Sequence, residues 1–167
     1  KFTSISNPFK GISREAHPDF NGEIVNDSWL SKEVVAGPLV VGGHNDLALI
    51  VGPCSADIND PIAMDETAAF AKSVGAKGLR AGAHKPRSDP YTFRGYGVNA
   101  LELCRKICDK YGLAFVTEPV MVDHIDAVIE HADVIQIGTR NATQPFYLEV
   151  AKRTVENKMP ILAKRGY

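Results

Sequence analysis

The sequence lacks several features that would assign it to a broad functional class. No apolar run is long enough to cross a bilayer, and residues 1–7 resemble neither a signal peptide nor a transit peptide. There is no Gly-x-x-x-x-Gly-Lys-Ser/Thr motif, and no Gly-x-Gly-x-x-Gly follows a predicted strand, so a nucleotide cofactor is not indicated. The net charge is -1 over 167 residues, which gives no global attraction to nucleic acid or to an anionic membrane. Any affinity for anions must therefore be local.

Cysteine is also scarce, with three residues in the chain. Cys104 and Cys108 lie four residues apart on a predicted helix, on the side of Leu101 and Tyr111, and do not form a Cys-x-x-Cys motif. We expect both to be small buried hydrophobic residues. Three thiols without a disulfide framework are typical of a reducing, cytoplasmic setting.

The first part of the chain gives weak signals. Residues 1–33 are irregular and polar, and we interpret them as an N-terminal arm. Two short apolar runs, 34–36 and 39–41, flank Gly37-Pro38 and predict a β-hairpin that caps a larger unit. We therefore divide the chain into an arm with a hairpin, residues 1–46, and a main domain, residues 47–167. Because the chain begins with Lys1 and stops at Tyr167 directly after Lys-Arg-Gly, we expect both ends to be internal to a longer polypeptide.

From residue 47 onward, strand and helix patterns alternate without exception. The predicted strands cover 47–51, 77–80, 113–117, 133–137 and 160–163, and the predicted helices cover 61–74, 97–112, 122–131 and 143–156. Asp60 followed by Pro61 is a typical helix start, and Thr143 is the predicted N-cap of the last helix. This alternation predicts a parallel sheet built of βαβ units, either an open doubly wound sheet or part of a (β/α)8 barrel.

A basic loop follows the second predicted strand, where residues 79–95 read LRAGAHKPRSDPYTFRG. It contains four basic residues, Arg80, Lys85, Arg87 and Arg94, and one acid, Asp89. Its glycines and prolines disfavour a regular helix or a long strand. Guanidinium forks and a lysine held in a braced loop suit phosphate and carboxylate groups, although a solvated basic loop is the alternative.

Each predicted strand is followed by a reactive or charged side chain. In chain order these are Cys54, Arg80, Glu118, Arg140 and Lys164. In a barrel the carboxyl ends of the strands converge on one mouth, whereas in an open sheet they spread along a crest. Contributions from five successive strands favour the barrel, with an anion pocket at its mouth. A structural ion pair between Arg80 and Glu118 is one alternative interpretation.

Other chemistries have weaker support from the residues. No nucleophile elbow is present from which a Ser-His-Asp triad could start. A Schiff base on Lys85 or Lys164 stays open, because a desolvated lysine on a barrel strand can act as a nucleophile. The histidines lack metal-ligand spacing, and His131, in the last turn of its predicted helix, is expected to complement the helix dipole.

Six separated motifs carry a resemblance to a known family. They are Gly-Pro-Cys-Ser at 52–55, Leu-Arg-Ala-Gly-Ala-His-Lys-Pro-Arg at 79–87, Ser-Asp-Pro-Tyr-Thr-Phe-Arg-Gly at 88–95, Thr-Glu at 117–118, Gln-Ile-Gly-Thr-Arg-Asn at 136–141 and Lys-Arg-Gly at 164–166. In order and spacing they resemble the 3-deoxy-D-arabino-heptulosonate 7-phosphate (DAHP) synthases of the short type I class, over about residues 47–167. The resemblance implies a (β/α)8 TIM barrel, of which this chain holds roughly the first five strands. It also implies the condensation of phosphoenolpyruvate with erythrose 4-phosphate to DAHP and phosphate, the first step of the shikimate pathway to the aromatic amino acids.

The resemblance further implies roles for individual residues. Cys54 would be one ligand of a divalent metal, Mn2+, Fe2+, Co2+ or Zn2+. Phosphoenolpyruvate would be held by Arg80, Lys85, Arg140 and Lys164, and erythrose 4-phosphate by Pro86, Arg87 and Ser88. Glu118 would lie beside the reacting carbons, where it could orient or deprotonate a water, so Lys85 and Glu118 would be catalytic. The implied protein is a cytoplasmic homo-oligomer, a dimer or tetramer, that takes small phosphorylated substrates and binds neither nucleic acid nor membrane.

Two alternatives accompany this interpretation. The sister family of 3-deoxy-D-manno-octulosonate 8-phosphate synthases uses arabinose 5-phosphate and typically has Lys-Ala-Asn-Arg-Ser-Ser where this chain has Lys-Pro-Arg-Ser at 85–88. Its metal-free members also carry asparagine in place of Cys54. The second alternative is a non-catalytic remnant that keeps the anion pocket. The family's other metal ligands, a His, a Glu and an Asp, belong to later strands, so we expect this stretch alone to hold only part of the site.

Overall fold

The computed structural model describes residues 33–43, 45, 47–89 and 91–164. The strands are β1 (Glu33–Ala36), β2 (Leu39–Gly42), β3 (Ile50–Val51), β4 (Gly78–Arg80), β5 (Ala114–Thr117), β6 (Val134–Ile137) and β7 (Ile161–Ala163). The α-helices are α1 (Pro61–Ser73), α2 (Val98–Tyr111), α3 (Ile125–His131) and α4 (Gln144–Glu156), with 3₁₀ turns at Val122–His124 and Thr139–Asn141. The predicted N-terminal arm lies, up to residue 32, outside the described residues.

Strands β3 to β7 form one parallel sheet whose spatial order is the chain order. Arg80 is aligned with Val116, and Gln136 with Leu162. A doubly wound sheet needs a reversal of strand order, and none occurs among the described strands. The predicted five strands of a TIM barrel are therefore confirmed. They form an arc, and the described strands do not close it into a barrel.

The helices cover one face of this sheet. Alternate strand residues, among them Leu79, Phe115 and Ile135, are fully buried against apolar side chains of all four helices. Cys104 and Cys108 belong to this core, as predicted, and burial raises the pKa of each thiol to about 12. These two cysteines therefore stay protonated and have a packing role.

The hairpin of β1 and β2 covers the opposite face. Its buried residues, Ala36 and Leu39, pack on Ala114, Val116 and Val134, which alternate with the helix-facing residues of β5 and β6. The predicted capping hairpin is confirmed, and it begins one residue earlier than expected, at Glu33 rather than Val34. The hairpin covers the inner face near the start of the strands. At the carboxyl ends of the strands, polar side chains occupy this face instead.

Three local expectations differ from the structure. Strand β3 has two residues instead of five, because as an edge strand it is aligned only with Gly78 and Leu79, and Leu47 is 92% exposed. The predicted helix 122–131 begins as a 3₁₀ turn and becomes α-helical at Ile125. Thr143 occupies the N-cap position of α4, but its side chain makes no capping hydrogen bond within the described part, whereas Asp60 accepts from Ala63 N at 2.9 Å.

None of the described helices is both long and apolar enough to span a bilayer.

An ion-pair network ties α2 to the beginning of β6. Arg105 Nη1 lies 2.7 Å from Asp133 Oδ2, and Arg105 Nη2 lies 2.7 Å from Asp109 Oδ1. The same Asp133 oxygen accepts a hydrogen bond from Phe115 N at 2.7 Å. Asp133 thus joins a helix to two neighbouring strands at the end of the sheet opposite the predicted site.

Candidate active site

The predicted site residues lie along the carboxyl edge of the parallel sheet. Arg80 is the last residue of β4, and Glu118 directly follows β5. Lys164 directly follows β7, and its backbone N–H donates to the last residue of β6 at 3.0 Å. Cys54 and Arg140 lie in the segments that follow β3 and β6. This is the edge at which TIM-barrel enzymes carry their reacting groups.

Lys85 contacts Cys54 directly. Its Nζ donates to Cys54 Sγ at 3.0 Å and to the Cys54 backbone oxygen, and the lysine is 6% exposed. The hydrogen bond from Lys85, followed by the charges of Lys85 and Arg80, lowers the pKa of the exposed Cys54 thiol against the opposing effect of burial. Gly82 makes room for the pair, since a Cβ there would lie 2.7 Å from Cys54 O and 3.1 Å from Lys85 Nζ. The pair presents a thiolate-forming sulfur held beside a buried ammonium group.

Glu118 is held by Gln136 rather than by an arginine. Gln136 Nε2 donates to Glu118 Oε2 at 2.9 Å, and both side chains are buried. A Cβ on Gly138 would lie 2.5 Å from the same oxygen, so a glycine is needed there for the carboxylate to keep its place. Among the described residues no ion pair joins Arg80 to Glu118, so the structural alternative of an Arg80–Glu118 pair is wrong. The carboxylate keeps acceptor capacity for a ligand or water.

The basic loop folds back on itself through its backbone. Lys85 N donates to Arg94 O at 2.8 Å, and Arg87 Nε donates to Phe93 O at 3.1 Å. Gly95 has a φ of +95°, and a Cβ at this position would overlap Ala83 O, so the turn requires glycine. Asp89, the acid of the loop, accepts a hydrogen bond from Tyr91 N at 2.9 Å. The described part of the loop is thus held by its own hydrogen bonds, with the side chains of residues 87–89 and 91–94 exposed.

A cavity of about 430 Å³ lies under this loop. Its described wall comprises His84, Lys85, Pro86, Arg87, Arg94, Gly95, Gly97, Val120, Met121, His124 and Asn141. Three of these side chains are cations and none is a carboxylate, so Asp89 does not belong to the wall. The volume is within the range of small-ligand pockets, and the charge suits an anion.

The other predicted contacts lie outside this wall. Ser88, Arg140 and Lys164 are exposed, and within the described residues no hydrogen bond or ion pair joins Arg140 or Lys164 to the Cys54–Lys85 pair. Lys85 belongs both to the cavity wall and to the Cys54–Lys85 pair, since it lines the cavity and contacts Cys54. The structure therefore brings Cys54, Lys85, Pro86 and Arg87 into one region and leaves Arg140 and Lys164 at the rim of the sheet.

A stacked pair of imidazoles lines the same cavity. The rings of His84 and His124 lie 3.8 Å apart between centroids at an interplanar angle of 18°. Burial, with a smaller effect of His124, lowers the pKa of His84 to about 4, and burial also lowers the pKa of His124. By contrast, His131 lies on α3 with Nδ1 2.8 Å from Ala127 O, in the structural role expected of it.

Of the predicted site residues, Cys54 suits a metal ion, as one ligand of it. The thiol of Cys54 has a lowered pKa and is exposed, which suits a thiolate ligand of a soft or borderline divalent ion. Elsewhere in the described part of the chain, no group of three or more His, Cys, Asp or Glu side chains could complete a metal site. The described residues therefore supply one metal ligand and not a complete metal site.

Sequence reasoning missed four residues of this region: His84 and His124 as a pair, Arg94 as a cavity residue, and Gln136 as the partner of Glu118. For Gln136 a signal exists, because it is the polar residue in the otherwise apolar strand Val134–Ile137 and shares the inner face with Val134. For the histidines, 40 positions separate two loops that meet only in the fold.

The imidazole stack predicts a loss of stability in mild acid. His84 is neutral in the folded protein down to about pH 4, whereas in the unfolded chain it binds a proton near pH 6.5. Below about pH 6.5 the unfolded state binds more protons, so the free energy of unfolding falls as pH falls, by roughly 2 kcal/mol after allowance for solvent screening. The urea midpoint of His84→Phe should change less between pH 7 and pH 4.5 than that of the wild type. An equal pH dependence in His84→Phe and in the cavity control Met121→Leu would contradict this role.

Comparison with known proteins assigns the chain to a family. Residues 24–167 match the sequence profile described as the DAHP synthetase I family. The chain is similar to the phospho-2-dehydro-3-deoxyheptonate aldolase of Thermotoga maritima, with 40% identity over 163 residues that cover 98% of this chain and 43% of that protein.

Solved structures give the same result. A crystal structure of the Thermotoga maritima DAHP synthase has a TM-score of 0.71 at 38% identity, covering 86% of this chain and 41% of that one. A truncated form of the 3-deoxy-D-arabino-heptulosonate 7-phosphate synthase from the same organism has a TM-score of 0.65 at 35% identity, covering 82% and 46%. The chain thus spans less than half the length of these relatives. By its sequence match over residues 24–167 and its structural likeness to these synthases, the chain belongs to the DAHP synthetase I family.

Proposed function

We propose that the protein condenses phosphoenolpyruvate with erythrose 4-phosphate to give DAHP and inorganic phosphate. The observation that carries this proposal is Lys85, a buried lysine that contacts Cys54 on one side and lines the cationic cavity with Arg87 on the other. Two polyanionic substrates repel each other, and a shared cation between two binding regions offsets that repulsion where the carbon–carbon bond forms.

Phosphoenolpyruvate is assigned to the region of Arg80 and Lys85. Arg80 ends β4 on the inner face, and Lys85 is held in position before substrate binds by its bond to Cys54. Arg140 and Lys164 complete this proposed region from the ends of β6 and β7, where their exposed side chains are free to turn toward a bound phosphate or carboxylate.

Erythrose 4-phosphate is assigned to the cavity under the basic loop. Pro86 and Arg87 line it, and Ser88 follows them at its rim. The bond from Arg87 Nε to Phe93 O leaves the terminal guanidinium nitrogens available for a phosphate group. The aldehyde carbon would then point toward Lys85 and the phosphoenolpyruvate region.

Glu118 is assigned to the water that adds at C2. In the proposed reaction, C3 of phosphoenolpyruvate attacks the aldehyde carbon, water adds at C2, and phosphate leaves with cleavage of its bond to carbon. Glu118 accepts one hydrogen bond from Gln136 and keeps a second oxygen with which to orient or deprotonate that water. Cys54 would supply one thiolate ligand to the family's metal, which as a Lewis acid would polarise the aldehyde when bound.

The test is phosphate release from phosphoenolpyruvate by the full-length protein with Mn2+ present. Release should require erythrose 4-phosphate, and Glu118→Gln, which keeps the shape of the side chain, should lower kcat by about 100-fold or more with little change in KM for phosphoenolpyruvate. Glu130→Gln, an exposed substitution on α3, should match the wild type.

Three results would count against the proposal in different ways. Faster turnover with arabinose 5-phosphate would favour the sister reaction. Saturable phosphoenolpyruvate binding without release would favour a non-catalytic anion-binding protein. Trapping of substrate on Lys85 or Lys164 by borohydride would indicate a Schiff-base aldolase instead.

A further inference from the structure

The wall of the cavity combines two kinds of side chain. Lys85, Arg87 and Arg94 provide positive charge, and the described wall contains no carboxylate to neutralise it. The rest of its polar surface is uncharged and consists of His84, His124 and Asn141. A ligand that matches this wall carries an anionic group and also uncharged polar groups.

The uncharged side chains have unused hydrogen-bonding atoms. Nδ1 of His84, Nδ1 of His124 and Nδ2 of Asn141 are buried and have no hydrogen-bond partner among the described residues. His84 as a whole is 6% exposed. A buried polar atom without a partner is destabilising, typically by about 1–3 kcal/mol, and such atoms are rare in native proteins unless something else binds them. The three residues that carry these atoms all line one cavity, and this juxtaposition points to a ligand that supplies several polar groups.

The imidazoles act here as neutral groups. Lys85, Arg87 and Arg94 of the basic loop line the same cavity as the stack, and the charge of Asp123 favours protonation of His124. Since burial lowers the pKa of both rings, each is neutral at pH 7, with one N–H donor and one acceptor nitrogen. A neutral imidazole binds a hydroxyl group well, because a hydroxyl both donates and accepts.

We propose that His84, His124 and Asn141 bind the hydroxyl groups of the aldose phosphate acceptor, and that Arg94 joins Arg87 in holding its phosphate. This inference rests on the proposed function and extends it from the phosphate, which many metabolites share, to the carbon chain that distinguishes one acceptor from another. A metal is a poorer match to this wall, because three cations surround it and no carboxylate belongs to it. Phosphoenolpyruvate is also a poorer match, because it has no hydroxyl group.

The experiment compares two probes by calorimetry on the full-length protein, erythrose 4-phosphate and inorganic phosphate. His84→Phe and His124→Phe keep a stacked aromatic pair but remove the ring nitrogens. Each should weaken erythrose 4-phosphate binding by about tenfold and leave phosphate binding within about twofold. Arg94→Met should weaken both probes by about tenfold or more, and Glu130→Gln, an exposed substitution on α3 outside the described cavity wall, should change neither.

Each outcome decides the inference independently of the reaction. If both histidine variants bind erythrose 4-phosphate as the wild type does, or lose both probes equally, the proposed hydroxyl contacts are wrong. A wild type that fails to bind erythrose 4-phosphate overturns the inference together with the assignment of the cavity. A wild type that binds both substrates but releases no phosphate overturns the proposed function alone, and the binding ratios still decide the role of the histidines.

Discussion

With Lys85 replaced by methionine, we expect phosphate release to fall by at least about 100-fold and the pKa of the Cys54 thiol to rise toward its ordinary value of 9.0. Both effects have one physical cause. The Lys85 ammonium lies 3.0 Å from Cys54 Sγ, and its hydrogen bond and charge are the largest influences that lower this pKa. Methionine keeps most of the side-chain volume but removes the charge and the donor.

The rise in pKa can be measured without any substrate. The rate of Cys54 alkylation by iodoacetamide, followed by mass spectrometry as a function of pH, reports the thiolate fraction. Cys104 and Cys108 serve as internal references, because they are fully buried and burial raises the pKa of each to about 12. They should stay unmodified while the protein is folded, so a signal from either peptide would reveal unfolding.

A surface lysine provides the matched control. Lys152 is exposed on α4, and Lys152→Met should leave both the alkylation profile and the turnover of the wild type unchanged. If Lys85→Met has the same Cys54 profile as the wild type, the Lys85–Cys54 contact does not polarise the thiol. If the profile moves and turnover does not, Lys85 tunes Cys54 but holds no substrate.

The sequence predicted the scaffold well because the scaffold depends on local patterns. Each strand is a short apolar run and each helix has an apolar stripe, so the elements from residue 47 onward match within a few residues. The Cys104–Cys108 spacing was enough to predict a buried packing role, and this is confirmed.

The side-chain partners were less predictable, because they join segments that are distant in the chain. The Lys85–Cys54 contact crosses 31 positions, and the Glu118–Gln136 contact crosses 18. A charge-pairing argument offered Arg80 as an alternative partner of Glu118, yet the buried carboxylate accepts from a neutral amide. The cluster of basic residues among glycines and prolines identified the loop at 79–95, but only the fold brings His124 against His84.

The second large effect concerns stability at the other end of the sheet. Asp133→Ala removes one of two acceptors of Arg105 Nη1, the other being His131 O at 3.2 Å, and removes the side-chain acceptor of the backbone N–H of Phe115, a residue that is fully buried. Loss of a charged acceptor that leaves a buried donor unpaired should lower the free energy of unfolding by about 2–4 kcal/mol. Urea denaturation followed by circular dichroism would show this as a lower midpoint with an unchanged m-value.

Two companion variants separate the contributions at Asp133. Asp133→Asn keeps an oxygen that can accept from Phe115 N but removes the charge that faces Arg105, so its loss should be intermediate. Asp109→Ala removes the other carboxylate of the same arginine, but that side chain is 65% exposed and pairs within one helix, so its effect should be about 0.5 kcal/mol or less. Equal losses for Asp133→Ala and Asp109→Ala would mean that the arginine's helix packing, and not the bridge from α2 to β5 and β6, stabilises this end of the sheet. A loss in Asp133→Asn as large as in Asp133→Ala would instead assign the whole effect to the ion pair with Arg105.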